Sequence, residues 1–415
     1  MHSFDIHPVN LIKALSMALE LAVHGMSSHH WRTALICDRI AKHIRLNPVV
    51  HQRLVYTALL HDIGAASSWS ERKKITATEY QTNDQGMYRH AEDGYLLLKD
   101  SVQLGDLAEP IRYHHDRWVG GNYSGLKGDQ IPLISRIVHI ADRIEILIHN
   151  NEFIFDQSKR ILAMIAKESG VEFDPSLVIV VKELTKKESF WLDIVNPNYY
   201  EMFFKSLDVY GSIRYSLDDA INIAEIFATI IDRMSSFTAT HSRSVAEIAA
   251  FLAEIKGFSA DEVKNIKIAG LLHDLGKLAV PNDILEKPGR LNNEEVVIIR
   301  QHTYYTYRIL EQIDNFDTIA KWAAYHHETL DGQGYPFRIK EESIPLGAKI
   351  VAVADIFTAL TENRPYRENL SEVKVKSIIS KMVDNGKIDR SIVNDLFEHY
   401  HEAMVIMLDL KAIAI

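Results

Sequence analysis

Apolar residues recur three and four positions apart along nearly the whole chain. The segments SVAEIAAFLAEIKG (244–257) and DDAINIAEIFATIIDRM (218–234) show the pattern plainly and predict amphipathic helices. Strand-like alternation is scarce, and LVIVVKEL (177–184) alone reads either way. Gly and Pro gather in a few stretches, VGGNYSGLKGDQIP, PNDILEKPGR and DGQGYP, which predict loops. The aromatic-rich segment FWLDIVNPNYYEMFFKSLDVYGSIRYS (190–216) lacks a clean helical period and is the expected boundary between two domains.

The N-terminal stretch carries Asp5, Lys13 and Glu20 among its apolar residues, so it reads as an amphipathic helix and not as a signal peptide. No run approaches the ~18 uncharged apolar residues that cross a bilayer. A cytoplasmic location without a membrane partner is the expectation.

Composition sharpens this picture in three ways. Hydrophobic residues make up 47% and charged residues 25% of 415, as in globular proteins with full cores. The formal net charge of −10 argues against a DNA or RNA polymer as the main partner. The single cysteine, Cys37, excludes a disulfide framework and a cysteine-based metal site, while histidine is abundant at 20. Metal chemistry here would rest on imidazole and carboxylate.

Those histidines are periodic. The first half holds His29, the pair His61-Asp62, His90, the pair His114-His115, and Asp142. The second holds His241, His273-Asp274, His302, His326-His327, and Asp355. The successive histidine steps are 32, 29 and 24 in both halves, and the last step to Asp is 27 in one and 28 in the other. Neighbouring residues agree as well, ALLHDIG against GLLHDLG and IVHIADRI against IVAVADIF. The chain is a tandem duplication with an offset of 212 residues. Five His and two Asp per half suit first-row transition metals, and two metals sharing an Asp would support displacement at phosphorus. Histidines off the repeated pattern, including His2, His7, His30, His43, His139, His149, His399 and His401, are expected to be surface or satisfied core residues.

With these residues in place, the chain resembles the HD superfamily of metal-dependent phosphohydrolases, and the second half resembles its HD-GYP subgroup. The signatures are His273-Asp274-Leu275-Gly276-Lys277, His326-His327-Glu328, Asp331-Gly332-Gln333-Gly334-Tyr335-Pro336, Asp355, and Arg364-Pro365-Tyr366-Arg367. The resemblance implies an all-α fold of two tandem helical bundles: a domain over 1–190, a linker over 191–216 and a catalytic domain over 217–415. It implies hydrolysis of a cyclic dinucleotide, cyclic di-GMP or 3′,3′-cyclic GMP-AMP, to a linear product. It also implies two divalent ions, iron or manganese, held by His241, His273, Asp274, His302, His326, His327 and Asp355. A hydroxide bridging them would attack phosphorus. Asp274 would bridge the metals, and Lys277, Arg364 and Arg367 would neutralise the phosphodiester. Gly334, Tyr335 and Pro336 would shape the substrate edge.

Three positions depart from the family pattern. The Glu that trinuclear members carry four residues before the first His is Phe237, hence the expectation of two ions and not three. A carboxylate common three residues after the ligand Asp is Thr358, and a Gly common four after the third His is Thr306. The first half resembles only the wider superfamily. Its ligand positions His29, His61, Asp62, His90, His114, His115 and Asp142 are intact, so a second metal site is an option. The Lys position is Ala65, the GYP loop is Val119-Gly120-Gly121-Asn122, and the Arg positions are Asn151 and Ile154. This half is therefore expected to hold metal more readily than to hydrolyse substrate, and to serve as a regulatory or dimerising platform, a homodimer being one option for assembly. Two other readings stand beside the leading one: a phosphohydrolase of other nucleotides, and a metal-loaded cyclic dinucleotide receptor.

Overall fold

A computed structural model describes residues 6–22, 28–66, 85–207, 214–234, 240–362 and 370–413. Those residues are α-helical with short 3-10 turns and two isolated β-bridges, so the all-α expectation holds among them. The ambiguous LVIVVKEL lies within the helix Pro175–Leu184. Asp174 starts that helix by accepting from the Ser176 amide, with Pro175 at the first helical position.

The chain separates into two compact units, His7–Arg214 and Tyr215–Ile415, the latter joined by Met1–Ile6. The duplication is visible in the helix ends. His29–His43, Pro48–Leu60 and Gly105–Arg112 in the first unit return as His241–Ile255, Ala260–Leu272 and Asp317–Ala324 in the second, at the 212-residue offset. The starts differ in chemistry. Asn47 accepts from Val49 N ahead of Pro48, whereas Ser259 and Glu262 form a reciprocal capping box. In both units the His-Asp pair sits where a buried helix ends and a 3-10 turn begins, Ile63–Ala65 or Leu275–Ala279.

A glycine makes that junction possible. A Cβ on Gly276 would stand 2.0 Å from the carbonyl oxygen of His302, and one on Gly64 would stand 2.0 Å from that of His90. The turn therefore packs backbone to backbone against the helix that carries the third histidine. The apolar stripe of the helix His29–His43 (Ala34, Leu35, Ile36, Cys37, Ile40 and Ala41) is fully buried, as is its counterpart Val245, Ala246, Ile248, Ala249, Leu252 and Ala253.

The segment 191–216 differs from the expected linker. Glu188–Val195 and Pro197–Leu207 are helices, and the first unit extends to Arg214. Trp191, Tyr200, Phe203 and Phe204 are buried. Trp31 meets Tyr200 and Phe204 edge-on, and Arg39 donates to Tyr199 Oη at 2.5 Å and to Asp193 at 2.8 Å. Burying each of the two Phe side chains contributes about 1.5–3 kcal/mol, which a free linker would forgo.

Candidate metal centres

In the second unit the repeated residues converge from three helices, His241–Ile255, Asn293–Leu310 and Leu346–Thr361, and from the turns that follow Ala260–Leu272 and Asp317–Ala324. Asp274 faces two imidazoles through different oxygens: Oδ2 lies 3.2 Å from His273 Nε2, and Oδ1 lies 3.4 Å from His302 Nε2. Asp355 Oδ1 is 3.2 Å from His241 Nε2. His302, His326 and His327 form one close set of donor atoms, and His241, His273 and Asp355 form another; His273, Asp274 and His326 connect them. Lys277, on the 3-10 turn, pairs with Asp274 Oδ2. All seven residues expected as ligands are thus gathered in one place.

Backbone geometry fixes which nitrogen each ring presents. His273, His302 and His326 each commit Nδ1 to the carbonyl three residues earlier, at 2.8, 2.7 and 2.6 Å. Donation from Nδ1 leaves a lone pair on Nε2. Those three Nε2 atoms are buried without a hydrogen-bond partner. Buried acceptors facing one another without donors are unfavourable alone and suited to a cation between them. The donor set fits divalent metal ions.

His241 is held differently, by Glu362 Oε2 at 3.0 Å from Nδ1. Glu362 follows the helix Leu346–Thr361 and is 5% exposed. Thr358, where the family's carboxylate is missing, turns its hydroxyl toward Met407 Sδ. In the first unit the equivalent contact is His29 Nδ1 with Glu145 Oε2, and Glu145 stands three residues after Asp142. The second unit has moved its orienting carboxylate one turn further along the helix. Thr306 also has a definite role, because its hydroxyl accepts from Gly276 N at 2.9 Å and donates to His273 O at 3.1 Å.

The electrostatics follow the geometry. Burial opposes protonation of His241, yet Asp355 and Glu362 outweigh it and raise the group to about 10. Burial lowers His302 to about 3, with Asp274 only partly opposing. Burial alone would raise Asp274, but His273 and Lys277 hold it well below the usual carboxylate range. Burial likewise opposes a charged Lys277, and Asp274 reverses the balance and raises it.

The GYP loop borders this centre. The Tyr335 ring lies 4.9 Å from the His327 ring, and the Arg300 guanidinium lies 5.0 Å above the tyrosine. A Cβ on Gly334 would come within 2.5 Å of Glu328 Cα and Thr329 N, so only glycine fits. Glu328 anchors the return of the loop by accepting from the amides of Phe337, Arg338 and Ile339 at 2.7, 3.0 and 3.2 Å. Pro336 follows in the same loop. Arg364, Arg367 and Phe237 lie outside the described residues.

In the first unit His90, His114 and His115 form one close set of donor atoms, and His29, His61 and Asp62 lie in another together with His30. Asp142 Oδ1 stands 3.4 Å from His29 Nε2 and 3.6 Å from His61 Nε2. His61 and His114 again commit Nδ1 to carbonyls, at 2.8 and 2.6 Å. His29 Nε2 and His61 Nε2 approach to 3.2 Å, and His90 Nε2 and His115 Nε2 to 3.0 Å. Metal–nitrogen bonds of about 2.0–2.1 Å place two ligands on one ion at such separations. His30, expected to be an ordinary core residue, instead joins the cluster. Its place beside His29 hid it, because the 32-residue step needs only one histidine there. His51 and His139 fit the ordinary reading, contacting Asp38 at 2.9 Å and Asp116 O at 3.2 Å.

The loop beside this centre is built another way. Asn122, at the position of Gly334, accepts from Arg117 N at 2.8 Å and donates to Arg117 O and Leu126 O at 2.9 and 2.7 Å. A cavity of about 690 Å³ is lined by Tyr88, Arg89, Arg112, Arg117 and Tyr123 among others. Arg112 and Arg117 are engaged there by Glu92 and Glu172, at 2.6 Å each.

Two HD domain descriptions match the chain, over residues 225–392 and 26–147. The 3′3′-cGAMP-specific phosphodiesterase 1 of Vibrio cholerae is 29% identical over 401 residues, 92% of this chain and 90% of that protein. Phosphodiesterase 3 of the same organism is 31% identical over 341 residues, covering 79% and 71%. The cyclic di-GMP phosphodiesterase of Thermotoga maritima is 39% identical over 152 residues, covering 36% and 41%. The crystal structure of the cyclic GMP-AMP specific phosphodiesterase V-cGAP3 from V. cholerae superposes with a TM-score of 0.66 at 25% identity, covering 96% of this chain and 98% of that one. The chain has two HD domains, and it belongs to the HD-GYP phosphodiesterase family.

Proposed function

We propose that the chain is a metal-dependent phosphodiesterase that opens a cyclic dinucleotide in its second unit, with 3′3′-cGAMP as the preferred substrate and cyclic di-GMP as the lesser one. The observation that carries this reading is Asp274, set between two groups of imidazoles with Lys277 against one oxygen and the Tyr335 loop beside the centre. The preference for 3′3′-cGAMP rests on the relatives that align across both HD domains, which are named for that substrate.

His241, His273, Asp274 and Asp355 would hold one divalent ion, and Asp274, His302, His326 and His327 a second. Iron or manganese suits this nitrogen–oxygen set. Two such ions supply Lewis-acid stabilisation and an activated water for in-line displacement at phosphorus. The chain's own groups do the rest. Lys277, kept charged by Asp274, places an ammonium where a phosphate oxygen gains negative charge. Glu362 and the carbonyls of residues 270, 299 and 323 orient the rings. Tyr335, backed by Arg300, offers an aromatic face for a base. Arg364 and Arg367 would clamp the phosphodiester as forked cations.

The protein would act in the cytoplasm; among the described residues no helix is long and apolar enough to cross a membrane. The test is metal-reconstituted protein given 3′3′-cGAMP and cyclic di-GMP at equal concentration, with products separated by chromatography. A linear dinucleotide, formed faster from 3′3′-cGAMP, is expected. No product from either overturns the proposal, as does near-normal turnover by Asp274→Ala; equal rates remove the preference.

A further inference from the structure

His30 has no counterpart in the second unit, where the position is Ser242. Ser242 donates its hydroxyl to Asp232 Oδ1 at 2.7 Å. Glu20 stands at the position of Asp232 and accepts from the backbone amides of His29 and His30 at 3.1 and 2.8 Å. Lys277 is likewise without a counterpart, its position being Ala65. One change removes the ammonium that pairs with the shared aspartate, and the other adds an imidazole that faces that same aspartate.

The imidazole is buried and faces the same aspartate as the His29 and His61 rings do. His30 is 1% exposed. Its Nδ1 lies 3.4 Å from Glu20 Oε1 and its Nε2 lies 3.6 Å from Asp62 Oδ2, and neither nitrogen makes a hydrogen bond. Asp62 Oδ2 also meets His29 Nε2 at 3.5 Å and His61 Nε2 at 3.3 Å, while Oδ1 faces His90 at 3.3 Å. The donor atoms of His29, His30, His61 and Asp62 lie within 4.8 Å of one another, and all four residues are buried. A core histidine without a ligand would find a hydrogen-bond partner for at least one ring nitrogen.

We infer that His30 is a metal ligand that closes the first unit's centre. With His29, His61 and Asp62 it completes the shell of one divalent ion, and Asp142 Oδ1 faces two of those imidazoles, His29 and His61. The first unit then offers five protein donors where His241, His273, Asp274 and Asp355 offer four in the second. A saturated, buried shell is that of a structural site, whereas a hydrolytic ion needs an open position for water. Glu20 Oε1 stands on the Nδ1 side of the His30 ring, the side on which Glu145 holds His29, but at 3.4 Å it makes no hydrogen bond to it. The ion is of the class that imidazole-rich sites take, zinc or a neighbouring first-row metal.

This inference rests on reading the imidazole–carboxylate clusters as metal centres, and the experiment separates the two claims. The full chain carrying His273→Ala and Asp274→Ala is titrated with cobalt(II), with circular dichroism as the check on folding. The first equivalent of cobalt is expected to bind with a visible spectrum that inorganic phosphate leaves unchanged. Adding His30→Ser should weaken that equivalent at least about tenfold and make its spectrum respond to phosphate. Failure to take up cobalt overturns the metal reading of the first unit. Uptake that phosphate perturbs, or that His30→Ser leaves unaltered, overturns the role of His30 alone. Should the triple variant not fold, His30→Ser in the otherwise unchanged chain is dialysed against chelator beside the parent. It should retain one ion fewer per chain, and equal retention overturns the inference.

Discussion

The two units carry the same seven donor positions on the same helices, yet they surround the shared aspartate differently. In the second, Asp274 meets two imidazoles and the Lys277 ammonium. In the first, Asp62 meets four imidazoles and, among the described residues, no ammonium, residue 65 being alanine. A fixed organic cation beside the metals leaves room for an anionic substrate to share its charge. An added imidazole uses that room for the ion itself. Ligand retention alone therefore does not distinguish a reactive centre from a closed one; what stands next to the ligands does.

The sharpest way to break that comparison is to remove both aspartates separately. Asp274→Ala should lower turnover of 3′3′-cGAMP by at least ~10³-fold, because it takes away the group proposed to bridge both ions. Asp62→Ala should cost less than about tenfold, within ordinary effects of indirect perturbation. Equal losses from the two substitutions, in a steady-state assay with folding verified, would erase the distinction between the units.

Next in size is the lysine. Lys277→Met keeps much of the stem and removes the charge, and it should cost about 10²–10³ in kcat, the usual effect of one charge-stabilising group, with a smaller change in KM. The converse substitution, Ala65→Lys, should not make the first unit hydrolytic, because His30 still fills the coordination position. This pair of substitutions tests whether the ammonium is used at the transition state or only neutralises Asp274. If kcat stays within twofold in Lys277→Met, the second view holds.

A third comparison concerns the carboxylate that orients the first histidine. Glu362→Gln should weaken metal retention about 10–100-fold, the range for partners that orient a metal's ligands. Thr358→Glu added to it restores a carboxylate three residues after Asp355, as Glu145 stands after Asp142, and should recover part of the affinity. Metal content after competition with a chelator reads both. Unchanged retention in Glu362→Gln would mean that Asp355 alone positions His241.

These groups mark the limit of what the sequence discloses. Helical periodicity identified the class of fold, and the 32, 29 and 24-residue steps picked out the residues that the structure gathers into clusters, because a duplicated spacing is visible without any structure. Glu362 was not visible, since it lies two helical turns beyond Asp355 and not at the familiar spacing. His30 was masked by its neighbour. The segment 191–207 looked irregular because its aromatic residues answer to partners far away in sequence: Tyr200 accepts from Arg32 across 168 positions, and Tyr199 from Arg39 across 160. Periodicity reports the face a helix buries in its own core, and it is weakest where a short helix packs around a distant one.

The smallest expected effect concerns Thr306, and it tests the units against each other at the level of backbone packing. In the first unit the equivalent residue is Gly94, where a Cβ would stand 2.9 Å from Ile111 Cγ2. In the second, the Thr306 hydroxyl takes the amide hydrogen of Gly276 and donates to the carbonyl of His273. Thr306→Val preserves shape but leaves that buried amide without an acceptor, which costs about 1–3 kcal/mol. Gly94→Ala should destabilise by a comparable amount through crowding, about 1–3 kcal/mol, unless Ile111 shifts. Denaturant titration of the two variants, each with metal removed, measures both losses. Thr306→Val should also lower kcat a few-fold, because Gly276 and the His273 carbonyl flank Asp274, whereas Gly94→Ala should leave kcat within twofold. If Thr306→Val proves neutral in both stability and rate, the threonine merely fills space and the second unit gains nothing from replacing glycine there.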